Sequence, residues 1–131
     1  LVELIMTGSP QDLVNKGGLV EMVAGLELLR NKPCVQRQKM FYWEKSGNSI
    51  AEIDYLDTFH LKVTPIEIKS GTQGGMKSLW QFMREKRLTE AIRCSFENFG
   101  EFTYTDPQAD NAKRHITIIP LYALDNLREM K

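Results

Sequence analysis

Two acids and one amine occur at spacings that suit a single small site: Asp54 in Ile50-Ala51-Glu52-Ile53-Asp54-Tyr55-Leu56, and Glu67 and Lys69 in Pro65-Ile66-Glu67-Ile68-Lys69-Ser70. Side chains alternate along a strand, so Glu67 and Lys69 share one face while Ile66 and Ile68 take the other. Two residues of rise set their Cα atoms roughly 6.6 Å apart, close enough to serve one ligand. A hairpin with a short loop through Asp57 to His60 would bring Asp54 beside that strand. Glu21 is a fourth candidate, sharing a helical face with Ala24, Gly25 and Leu28, a small and apolar surface suited to packing on a sheet. A carboxylate on such a face is costly unless something pairs it.

A hard cation such as Mg²⁺ takes one or two carboxylates plus waters and phosphate oxygens. Asp54, Glu67 and the backbone carbonyl of Ile68 fit that role, with Glu21 as a further ligand candidate. Such an ion lowers the pKa of bound water and draws charge from a phosphoryl oxygen, the two needs of phosphodiester hydrolysis. Lys69 would orient the attacking water or neutralise charge in the transition state. Plainer readings use the same residues. Asp54, Glu67 and Lys69 also suit a structural ion pair on a half-exposed sheet face, and the helix dipole favours an acid such as Glu21 near a helix N-terminus without any ligand.

The elements that must position these groups follow from periodicity. Leu19 to Arg30 carries apolar residues at helical spacing and stops before Asn31-Lys32-Pro33. Phe41-Tyr42-Trp43 and Ile50 to Leu56 read as strands around Ser46-Gly47-Asn48, with a third strand over Val63 to Ser70. Met76, Leu79, Trp80 and Met83 form the stripe of a second helix running to about Leu88. Ala91 to Phe96 and His115 to Pro120 read as strands, with a polar stretch from Asn98 to Lys113 between them and a short terminal helix over Leu121, Leu124 and Leu127. The order helix, three strands, helix, strand, strand predicts an α/β fold, with antiparallel pairing among the first strands and a crossover to a parallel one. Leu1 to Val14 reads as the tail of a preceding helical segment, so residues 1–15 are expected to lead into a domain spanning 16–131.

With 131 residues, 42% hydrophobic, the chain can bury one core. Lys and Arg together number 17, as do Asp and Glu, which argues against nucleic-acid binding by bulk charge. Any such contact needs a local patch, for which Lys77, Arg84, Lys86, Arg87 and Arg93 outnumber Glu85 and Glu90. No apolar run approaches the roughly 20 residues that cross a bilayer. Cys34 and Cys94 suit a reducing, cytoplasmic setting better than a disulfide framework. Gly71-Thr72-Gln73-Gly74-Gly75-Met76-Lys77-Ser78 approximates a phosphate-binding loop, but Met76 stands where glycine is required, so no bound nucleotide is expected. His60 and His115 have no zinc spacing with either cysteine, and Trp43 and Trp80 read as core or interface residues.

Asp54 followed by Glu67-Ile68-Lys69 resembles the motif of the PD-(D/E)xK nuclease superfamily, although Ile53 stands where the superfamily usually has proline. The likeness sharpens with Lys16-Gly17-Gly18-Leu19-Val20-Glu21, Glu27-Leu28-Leu29, Tyr42-Trp43, Glu52-Ile53-Asp54, Pro65-Ile66-Glu67-Ile68-Lys69-Ser70-Gly71 and Ile119-Pro120-Leu121-Tyr122. That ordered series is similar to the domain of unknown function that follows the ATPase module in many prokaryotic AAA-type ATPases, over residues from about 16 to 125. The resemblance implies a restriction-endonuclease-like core with a mixed central sheet flanked by helices. It also implies Mg²⁺ or Mn²⁺ at Asp54, Glu67 and Glu21, Lys69 as a catalytic residue, DNA as substrate and an upstream ATPase domain as partner. The alternative it carries is an inactive module serving recognition or homo-oligomer assembly of the ATPase.

Overall fold

The computed structural model describes residues 17–30, 40–47, 51–59, 61–69 and 75–127. Helix α1 (Gly17–Arg30) precedes strands β1 (Phe41–Lys45), β2 (Ala51–Phe59) and β3 (Lys62–Ile68). Helix α2 (Lys77–Lys86) then leads to β4 (Glu90–Ser95), β5 (Gly100–Asp106) and β6 (Ala112–Pro120), followed by a 3-10 turn over Leu121–Asn126. The strands form one six-stranded sheet in the order β1-β2-β3-β4-β6-β5. Strands β1, β2 and β3 pair antiparallel, β3, β4 and β6 run parallel, and β5 returns antiparallel against β6. The fold is therefore α/β with a mixed sheet, as the element order predicts.

Each sheet face is closed by one helix. Val20, Ala24 and Leu28 of α1 pack with Leu121 and Leu124 on Ile66, Ile68, Ile92, Cys94 and Ile119. Leu79, Phe82 and Met83 of α2 cover Ile53, Ala91 and Ile116 on the other face, with Trp43 and Trp80 packed against them. Both tryptophans are thus core-flanking, Trp43 at 5.0 Å from the Phe82 ring and Trp80 stacked on Tyr104 at 4.1 Å. Burying two apolar stripes on opposite faces of one sheet is what fixes the three-layer arrangement.

The differences from expectation have local causes. Strand β5 lies inside the stretch read as a polar connection, because its inward side carries the polar Asp106 beside Phe102 and Tyr104 while Glu101, Thr103 and Thr105 are exposed. Strand β2 continues to Phe59, so Asp57 to Phe59 is strand rather than loop, and the chain reverses through Leu61 at φ 65. Helix α2 ends at Lys86, where Arg87 turns left-handed at φ 54 and its amide and that of Leu88 close on Arg84 and Met83 carbonyls. The terminal helix is a 3-10 turn. Helix α1 begins at Gly17, two residues before the apolar spacing at Leu19. The readings of Leu1 to Val14, Cys34, His60 and Gly71 to Gly74 lie outside the described residues. Among the described residues, no helix is long and apolar enough to cross a membrane.

Candidate functional site

The site forms where β2 and β3 part. Their ladder runs from Phe59↔Lys62 to Tyr55↔Ile66, a register whose next step would set Asp54 opposite Glu67. Backbone pairing stops there, and the Asp54 side chain takes over: Oδ2 accepts from the Ile68 amide at 2.7 Å. A β-bulge assists this. Between Trp43↔Ile53 and Phe41↔Leu56 strand β1 advances two residues and β2 three, so the extra residue falls at Asp54-Tyr55. A bulge re-aims the side chains it carries. Here Ile53 and Leu56 both reach the α2 face while Tyr55 packs on the α1 side.

Strand β3 keeps the alternation expected of it. Ile66 and Ile68 enter the α1 core, and Glu67 and Lys69 share the other orientation. Lys69 Nζ lies 2.6 Å from Glu67 Oε1. Glu67 is only 6% exposed, and its second oxygen, Oε2, is buried without a hydrogen-bond partner among the described residues. The Ile68 amide faces Asp54, and in extended backbone the carbonyl of a residue faces the same side as its amide, so the proposed third ligand opens on the same gap.

Glu21 reaches the group from α1. The faces predicted for that helix hold, with Ala24, Gly25 and Leu28 buried and Glu21 half-buried. Glu21 is the fifth residue of α1, and the first turn contains no acid, so the helix dipole gives a weak account of it. Its main-chain carbonyl accepts from the Tyr55 hydroxyl at 2.7 Å.

Electrostatics couples the set. Burial, then the charge of Asp54, raises the Glu67 pKa to about 7, against the opposing contact with Lys69. Asp54 is also raised, chiefly by burial, although the Ile68 amide and Lys69 oppose it. Glu21 is raised by burial and then by Asp54 and Glu52, with Lys69 again opposing. Among the described residues three acids thus share one nearby ammonium, an excess of negative charge that a cation would relieve. Among the described residues no three His, Cys, Asp or Glu side chains converge into a ready metal cage. A site using one or two carboxylates and water, of the kind Mg²⁺ takes, needs only Asp54 and the orphaned Oε2 of Glu67.

The sequence reading missed the neighbours on β4. Arg93 is the register partner of Glu67 and is itself buried, its Nε 3.3 Å from Glu97 Oε2 and its Nη1 donating to Met76 Sδ at 3.7 Å. Ser95 Oγ donates to Glu97 at 2.9 Å. Alternation along β4 could have placed Arg93 on the Glu67 face once the parallel pairing was known. The basic patch shrinks accordingly, because Arg93 is held by Glu97 and Arg84 by Asp106. Lys77, Lys86 and Arg87 stay exposed. Met76, the residue that breaks the phosphate-loop pattern, is buried in the core under α2. A separate cavity of about 280 Å³ is lined by Phe59, Ile92, His115 and Ile119 and contains none of the clustered acids.

Residues 16–124 match a protein family described as Domain of unknown function (DUF4143). No curated protein matches the chain.

Proposed function

Since the chain belongs to the DUF4143 family, we propose that it is a nuclease-like domain that hydrolyses phosphodiester bonds of DNA with Mg²⁺ or Mn²⁺. The observation that carries this reading is the Asp54 carboxylate bridging two parting strands beside a buried Glu67 with one unpartnered oxygen and an ammonium at 2.6 Å. The Asp54 and Glu67 spacing, the mixed sheet and the two covering helices agree with a PD-(D/E)xK motif on a restriction-endonuclease-like core. Asp54, Glu67 and the Ile68 carbonyl would hold the ion, with Glu21 completing its shell through water or directly. The bound ion would supply an acidified water and a polarised phosphoryl oxygen.

The chain's own groups do the rest. Asp54, anchored on the Ile68 amide, presents its other oxygen at a fixed angle. Lys69, tethered to Glu67, keeps a positive charge where a pentacoordinate phosphorus gathers negative charge. The family's association with AAA-type ATPases supports an upstream ATPase domain as partner and a cytoplasmic setting.

A second reading, an inactive module for recognition or oligomer assembly, is favoured by the equal numbers of acidic and basic residues and by the internal pairing of Arg84 and Arg93. Incubation with plasmid and with single-stranded DNA plus Mg²⁺ or Mn²⁺ separates the two. The nuclease reading expects cleavage that falls at least about a hundredfold in both Asp54→Ala and Lys69→Ala, as loss of a charge-stabilising group does. Cleavage that survives both substitutions, or none by the wild type, overturns it.

A further inference from the structure

Helix α1 and strand β2 meet at one unusually close point. Gly25 lies there, and a Cβ built on it would fall 2.6 Å from Tyr55 Oη, 3.0 Å from Tyr55 Cζ and 2.9 Å from Met40 Cε. Within an α-helix the carbonyl of residue 21 already accepts from the amide of residue 25, and the side chain at 25 would normally wall off that carbonyl. With glycine the wall is missing, and the Tyr55 hydroxyl reaches the Glu21 carbonyl as a second donor at 2.7 Å. Tyr55 is the residue after Asp54 and sits on the same bulge. One irregularity in β2 therefore sends Asp54 toward Ile68 and Tyr55 toward Glu21.

We propose that Tyr55 is a positioning residue for the cation site, a latch that Gly25 admits and that fixes the main chain of Glu21 and so the direction from which its carboxylate approaches Asp54 and Glu67. The inference rests on the cation-binding reading of that cluster. Tyr55 touches no reacting group. Its hydroxyl donates to the Glu21 carbonyl and fixes that carbonyl's position. Without the latch, the contacts of α1 near the site among the described residues are the apolar ones of Val20, Ala24 and Leu28, which are non-directional and leave the axial and rotational placement of Glu21 loose.

Calorimetric titration of the full chain with Mn²⁺ tests this, using wild type, Tyr55→Phe, Glu21→Gln and the double variant. Removing a group that orients a ligand typically weakens metal binding about 10- to 100-fold. Tyr55→Phe is expected to lose at least about tenfold, Glu21→Gln a similar factor, and the double variant no more than the worse single one, since both remove the same ligand. Gly25→Ala, which keeps the hydroxyl but drives it off, should reproduce the Tyr55→Phe loss. Tyr55→Phe binding as tightly as wild type, or losses that multiply in the double variant, overturns the latch and leaves the cation site standing. A wild type with no saturable Mn²⁺ binding removes both.

Discussion

Two charged clusters sit at opposite ends of the same parallel strands, and their stoichiometry differs. At the end where β6 begins, Asp106 is fully buried and faces two guanidiniums: Arg84 Nη1 lies 3.1 Å and 3.2 Å from its two oxygens and Arg114 Nη2 lies 3.7 Å away. The Gln108 amide donates to it at 3.1 Å, and Arg114 also donates to the Leu88 carbonyl. At the end where β3 finishes, Glu21, Asp54 and Glu67 share Lys69, and among the described residues one oxygen of Glu67 has no partner. Both places bury an acid. The first surrounds it with donors and works as a brace joining α2, β5 and β6, whereas the second, among the described residues, has more acids than cations, as the proposed cation site requires.

The sharpest way to break this contrast is to remove each buried acid in turn. Asp106→Ala leaves the Arg114 guanidinium, 5% exposed, and that of Arg84 without their counterion. Removing one partner of a buried pair costs about 3–5 kcal/mol, because an uncompensated charge remains. Urea unfolding should show that loss. Glu67→Gln should cost little or nothing at neutral pH, since burial and the charge of Asp54 outweigh the contact with Lys69 and disfavour the ionised form. Equal losses at the two positions would mean that both clusters are braces.

The legibility of the two clusters differs for a physical reason. The Glu67 and Lys69 pair is written in one strand with period two, and its hairpin partner Asp54 lies on the strand just before it, so both are visible. Helix α1 is equally local. The brace joins residues 84, 106 and 114, which meet only through the β5 and β6 pairing. Strand β5 was itself hidden, because Glu101, Thr103 and Thr105 on its open side read as loop chemistry. The bulge at Asp54-Tyr55 is likewise invisible along the chain, since a bulge exists only relative to the strand beside it. Gly25 is a partial exception. A glycine inside a helix and one turn after a buried-face acid signals close approach, but not by what.

A pH titration of stability sharpens the comparison from the other side. The folded pKa of Glu67, about 7, lies above its ordinary value of 4.5. Below about pH 4.5 both states hold the proton and the group costs nothing. As pH rises toward 7 the unfolded chain releases its proton while the folded chain keeps it, so stability falls. At about 1.36 kcal/mol per unit, the full drop is on the order of 3 kcal/mol, complete above pH 7. Glu67→Gln should flatten most of that slope. Saturating Mn²⁺ should flatten it in the wild type by supplying the missing charge, whereas it should leave the Asp106→Ala loss untouched. A wild-type slope unchanged by Mn²⁺ would sink the assignment of the carboxylate cluster as a cation site.

The smallest effect belongs to an exposed pair that neither braces nor binds. Arg30 Nη1 donates to both oxygens of Glu27 at 3.0 Å, three residues back along α1, and the arginine side chain is 69% exposed. Water screens such a pair, and ordering two long side chains offsets much of its attraction. Glu27→Gln should therefore cost only about 0.2–0.5 kcal/mol and less at high salt. Its bond lengths match those at Asp106, so geometry alone does not set the energy. If Glu27→Gln destabilised as much as Asp106→Ala, burial and charge stoichiometry would lose their explanatory weight, and the contrast between the two ends of the sheet would lose its basis.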